Sequence, residues 1–114
     1  MANYVDLIPI INEDNSWEFD ECNRVLIVVK NKGFINSLAI KFLGKPENKE
    51  IELDRYGSFV WQRIDGIKNI QGIINDIIET FGEERVLATK RAVMFFEMLR
   101  INRLILYKKE RETV

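Results

Sequence analysis

Histidine is absent from this 114-residue chain, and cysteine occurs once, as Cys22. Without histidine there is no Ser–His or Cys–His nucleophile pair and no histidine-ligated metal. One cysteine excludes an intrachain disulfide and cannot by itself build a zinc or iron–sulfur site. A reducing cytoplasm suits such a domain, held by its core alone. Long apolar runs are missing too, and the opening "MANYVDLIPI" lacks the basic start and small-residue cleavage site of a signal peptide. The expectation is a cytoplasmic protein with no membrane association, no metal and no cofactor. An enzyme here would have to work with carboxylates, Lys, Tyr or Cys22, so a non-catalytic role is expected.

An excess of charge is also lacking: 17 Lys and Arg against 18 Asp and Glu give a net charge of −1. That argues against a dedicated nucleic-acid binder, which relies on clustered cations. The distribution is uneven, however. Through Cys22 the chain carries Asp6, Glu13, Asp14, Glu18, Asp20 and Glu21 and no basic residue, whereas Arg100, Arg103, Lys108, Lys109 and Arg111 crowd the end.

What is present is a 46% hydrophobic composition, enough for one modest core, so residues 1–114 read as a single domain. Period-2 alternation of Trp17 and Phe19 within residues 16–21 predicts a half-buried strand. The β-branched run "RVLIVVK", 24–30, predicts a second, after a short polar turn, and "KEIELD", 49–54, a third. All strands thus fall within 16–54. Between the last two lies an excursion, 31–48, in which Phe34, Ile35, Leu38, Ala39, Phe42 and Leu43 recur at helical spacing up to Gly44 and Pro46. It either covers the domain's own core or forms a surface for a partner or membrane interface. Lys41 and Lys45 are too few to favour lipid.

From Asp54 the period becomes helical, and three helices are expected within 55–103. Asp54 and Asn69 are candidate N-caps, Gly66 and Gly82 terminators, and Glu83 the start of a third helix running to at least Arg100. "LILYKK" reads either as a last helical turn or as a short strand. Within "GSFVWQRIDG", 57–66, Phe59 is expected on the core-facing stripe and Trp61 at its edge. Asp65 has no neighbouring His, Cys or second carboxylate, so the stretch reads as architecture.

"IELDRYGSFVWQRIDGIKNIQGIINDIIETFGEE" resembles the PqqD family, whose members are also called RiPP recognition elements. The likeness rests on Leu53-Asp54 closing a strand and an aromatic helix reaching Ile64-Asp65-Gly66. An isoleucine-rich helix ending at Phe81-Gly82 and a third helix leading to Leu104-Ile105 complete it. The similarity covers residues 50–105, and 16–30 more loosely. It implies an α+β fold, a three-stranded antiparallel sheet followed by three helices, winged helix-turn-helix-like. It further implies a non-catalytic protein that binds the leader segment of a ribosomally made precursor peptide and presents it to a modifying enzyme, often a radical S-adenosylmethionine (SAM) enzyme. The leader would add as a strand to the third strand's edge, in the groove beside the third helix.

The residues bear on that expectation. Ala88, Ala92, Phe95, Phe96 and Leu99 cluster on one side of the third helix, as core. Leu87, Met94, Met98 and Ile101 lie nearly opposite, either sandwiched as further core or lining a groove. Glu50, Ile51, Glu52 and Leu53 supply the candidate edge. Arg91 either meets an acidic leader residue or is a solvated charge. Two departures from the family stand out. Arg103 replaces a frequent glycine, so the third helix is open to continuing past its usual end, and the 31–48 excursion is absent from compact members. A winged-helix DNA-binding regulator and a protein–protein interaction subunit of a maturase, resting on Phe34–Leu43, are the alternatives. An exposed strand edge also makes a weak homodimer conceivable beside a monomer. The peptide, the enzyme and the product are not legible, and pyrroloquinoline quinone need not be that product.

Overall fold

The computed structural model describes residues 3–30 and 48–108; the helix expected over Phe34–Leu43 lies outside them. β-Branched residues set the first layer. Val25–Lys30 (β3) pairs antiparallel with Ser16–Phe19 (β2) on one side and Asn48–Glu52 (β4) on the other, giving the order β2-β3-β4. Register places Trp17, Ile27 and Ile51 in one row, with Phe19 and Val25 on the same face. Val25 and Ile27 are fully buried there. The β2–β3 turn is held by Asp20, whose Oδ1 accepts from the Cys22 and Arg24 amides. Asn23 takes a left-handed φ of 64° in it, a conformation asparagine tolerates.

Three helices follow: Arg55–Arg63 (α1), Ile70–Phe81 (α2) and Arg85–Ile101 (α3). Asp54 caps α1 through Gly57 N–H and Asn69 caps α2 through Gly72 N–H, both at 2.8 Å. These are the caps expected from the residue types. Glu84 caps α3, so that helix starts two residues after Glu83. The core is built from Ile70, Ile73, Ile74 and Ile77 of α2 against Ala88, Ala92, Phe96 and Leu99 of α3. Each fully buried isoleucine contributes roughly 1.5–3 kcal/mol.

The aromatic assignments within α1 and β2 need correction. Trp61 is 1% exposed and central, whereas Phe59 is half-buried on the helix flank, edge-on to Phe81 at 5.2 Å. The inward face of α1 runs through Gly57, Val60, Trp61 and Ile64, with Gly57 lying against the Phe95 ring. Trp17 and Phe19 face the core side but remain exposed, because β2 is the sheet's outer strand; Trp17 rests edge-on against Trp61 at 6.3 Å.

A second sheet pairs Ile8–Ile11 (β1) antiparallel with Ile105–Lys108 (β5). This settles Ile105–Lys108 of "LILYKK" as a strand. β1 is new relative to the sequence reading: "IPII" does not alternate, and Pro9 lacks a donor, which a two-stranded ribbon tolerates. Tyr4 ties this region to α3, its hydroxyl donating to Glu97 at 2.8 Å and contacting the Tyr107 hydroxyl.

Helix α3 does not continue past its usual end. It stops at Ile101 in a Schellman arrangement: Arg103 N–H reaches Arg100 O at 2.9 Å, and Leu104 N–H reaches Leu99 O at 2.9 Å. Arg103 takes the left-handed φ of 58° that the motif demands. The backbone conformation is therefore one that glycine usually supplies at a helix end, carried here by an arginine. Leu104 and Leu99, both fully buried, complete the motif's apolar contact.

Candidate functional site

The site is built on the outer edge of β4. Leu53 N–H donates to Val25 O at 2.9 Å, so Leu53, Ile51 and Lys49 turn their backbone groups toward β3. Backbone direction alternates along a strand, so the N–H and C=O groups of Glu50 and Glu52 point the other way. No strand among the described residues pairs with that edge. Side chains alternate as well: Ile51 and Leu53 face the helices, while Glu50 and Glu52 are exposed.

Helix α3 runs beside this edge and leaves a cleft of about 420 Å³. From the sheet, Ile51, Glu52 and Leu53 line it; from α3, Arg91, Phe95 and Met98 do, spaced by four and three residues so that they share one face. Asp54 and Tyr56 close one end. The Arg91 guanidinium lies 3.8 Å from the Tyr56 ring centroid and pairs with Glu83, which holds it at the cleft. Phe95 stands edge-on to Tyr56 at 5.9 Å.

Two electrostatic features mark the cleft. The Tyr56 hydroxyl is buried without a hydrogen-bond partner among the described residues. Burial also pushes its pKa up to about 12, so it remains a donor at any physiological pH. On the solvent face of the sheet, the Glu52 carboxyl and that of Asp20 in the β2–β3 turn lie close enough to perturb each other. That proximity raises Glu52 above the usual carboxylate range and lowers Asp20 below it. Elsewhere, backbone N–H groups of Lys68 and Ile67 lower the Asp65 carboxyl, whose position is that of a turn-stabilising residue. Among the described residues no group of three or more Cys, Asp or Glu could hold a metal ion.

Of the residues singled out from sequence, Ile51, Glu52, Leu53, Arg91 and Met98 meet in the cleft, and Glu50 lies on the same edge. Leu87, Met94 and Ile101 do not line it. They stand on the outward side of α3, 63%, 65% and 65% exposed. Tyr56, Phe95 and Asp54 line the cleft without having been singled out for it. Phe95 was legible in principle, four residues after Arg91 and three before Met98, but its half-buried ring also packs on the core.

An open strand edge flanked by a helix, with an apolar cleft between them, is the feature that marks this small α+β domain. The family model for coenzyme PQQ synthesis protein D (PqqD) matches residues 42–105, and the chain belongs to that family, the RiPP recognition elements. Membership associates it with cofactor and peptide biosynthesis. No curated protein and no solved structure gives a match. No helix among the described residues is long and apolar enough to cross a membrane.

Proposed function

We propose that this protein is a non-catalytic binder of a precursor peptide's leader segment, which it presents to a modifying enzyme, for which a radical SAM enzyme is the leading candidate. The leader adds antiparallel or parallel to β4 as a fourth strand, and the sheet and three helices act as a winged helix-turn-helix-like platform. The observation that carries this reading is the free edge of β4, with the outward backbone groups of Glu50 and Glu52 lying over an apolar cleft. Backbone pairing supplies affinity, and the cleft selects side chains at alternate leader positions. Arg91 favours an acidic leader residue, and the Tyr56 hydroxyl offers a donor. A DNA-binding role is not favoured, because the exposed face of α3 carries Leu87, Met94 and Ile101 between its basic residues.

The test is affinity capture of the tagged protein from its host, read by mass spectrometry down to short peptides, beside a Met98→Glu variant. A short precursor, with or without its enzyme, should be captured by wild type and lost from the variant. Recovery of nucleic acid, or of the same peptide by both proteins, contradicts the reading.

A further inference from the structure

The outward stripe of α3 is unaccounted for by the cleft. Leu87, Met94 and Ile101 recur every seven residues, so they align along one side of the helix and face solvent. A shallow depression of about 400 Å³ lies between Leu87 and Met94, bordered by Glu84 and Lys90. Helix surfaces that are apolar on a second side are normally covered.

The charges beside the stripe indicate what covers it. With about 100° of turn per residue, Lys90 and Glu97 lie about 40° and 60° from Met94 on the same flank. Lys90 has no ion pair among the described residues. The Glu97 carboxylate is held in place by Tyr4 and Arg100. A two-fold axis through Met94, perpendicular to the helix, reverses chain direction while keeping each flank on its own side. Lys90, about 6 Å from the centre at 1.5 Å per residue, then meets Glu97 of the second copy, about 4.5 Å from it. The same operation sets Leu87 against Ile101 and Met94 against Met94, the self-complementarity an isologous contact requires. A parallel pairing would instead bring Lys90 beside Arg91 of the other copy, two like charges.

We propose that the outward face of α3 is a self-association surface, on which a second copy of this chain packs antiparallel through Leu87, Met94 and Ile101 with reciprocal Lys90–Glu97 pairs. On the opposite flank Met98 and Arg91 lie about 40° and 60° from Met94, so the same packing sets Arg91 of one copy beside Met98 of the other and covers the outer side of the cleft. One helix pair covers less than the roughly 1,600 Å² of a standard interface. The association is therefore weak and concentration-dependent.

Sedimentation velocity from about 10 μM to about 1 mM tests this, a range that brackets weak association. Wild type should shift toward dimer, and Met94→Glu, at an exposed position, should stay monomeric with an unchanged circular dichroism spectrum. Geometry is read separately by copper-catalysed air oxidation of cysteine variants in a Cys22→Ser background. Met94→Cys should cross-link to itself. Leu87→Cys alone should not, whereas a mixture of Leu87→Cys and Ile101→Cys proteins should. A wild type monomeric throughout the range overturns the proposal. So does a dimer that survives Met94→Glu, which would point to the β4 edge, or self-cross-linking of Leu87→Cys, which would mean parallel packing.

Discussion

Two sides of helix α3 carry apolar side chains outside the core, and they differ in what stands opposite them. Arg91, Phe95 and Met98 face the edge of β4 across a narrow cleft, whereas Leu87, Met94 and Ile101 are exposed, with none of the described elements over them. The first side has a sheet edge whose outward backbone groups no described strand pairs, the requirement for gripping an extended peptide. The second has only side chains, in a pattern complementary to itself. Residue type does not separate these roles, since each side holds a methionine; position around the helix does.

The sharpest way to break this comparison is to place one charge on each side in turn. Met98→Glu buries a carboxylate in the cleft and should weaken peptide binding by at least about 30-fold, a hot-spot effect of about 2 kcal/mol. Met94→Glu should leave that affinity within about threefold. Isothermal titration calorimetry with the captured peptide reads both, and equal losses would merge the two surfaces.

A smaller effect isolates the backbone. Glu50→Pro removes an N–H that points away from β3, a replacement edge strands tolerate. Peptide affinity should fall by about tenfold, while thermal stability changes by less than about 1 kcal/mol. A loss of stability without loss of affinity would mean that Glu50 N–H serves the fold.

The cleft side also carries a titration that the outward side lacks. Tyr56 keeps its proton to about pH 12 because it is buried, against an ordinary value of 10.0. The unfolded chain releases that proton first, so the contribution is complete below pH 10 and is lost as pH rises through 12. Burial raises Tyr4 and Tyr107 in the same direction. Denaturant midpoints should therefore fall across this window, and Tyr56→Phe should flatten part of the fall. An unchanged slope would place the titration at Tyr4 and Tyr107 alone.

Both faces depend on α3 ending where it does, and here the smallest effect is expected. Arg103 holds a left-handed conformation that costs an L-residue roughly 1–2 kcal/mol, partly offset by the greater unfolded-state freedom of glycine. Arg103→Gly should stabilise the protein by roughly 0.5–1 kcal/mol, seen as a Tm a few degrees higher. Destabilisation would mean that the arginine side chain makes a contribution larger than the strain.

The order of the three-stranded sheet and three helices was legible because most boundaries carry a local signal: the β-branched run at Val25, the Asp54 and Asn69 caps, the glycine at Gly82. The first helix, expected to end at Gly66, stops at Arg63 with Ile64 as its cap. Legibility failed where tertiary packing decides. Trp61 and Phe59 exchange expected roles because the inward face of α1 is set by its contacts with α3 and the sheet, which helical spacing alone does not orient. β1 escaped notice because its pairing with β5 spans nearly the whole chain. For the same reason the apolar band of α3 read as one stripe. Only the position of β4 divides Met98 from Met94.

The central claim, that a peptide adds to β4, is tested most directly by amide hydrogen exchange with and without the captured peptide. Glu50 and Glu52 N–H groups should exchange rapidly in the free protein and become protected on binding, while Ile51 and Leu53, already bonded to β3, change little. Protection confined to α3, with Glu50 and Glu52 unaltered, would contradict strand addition.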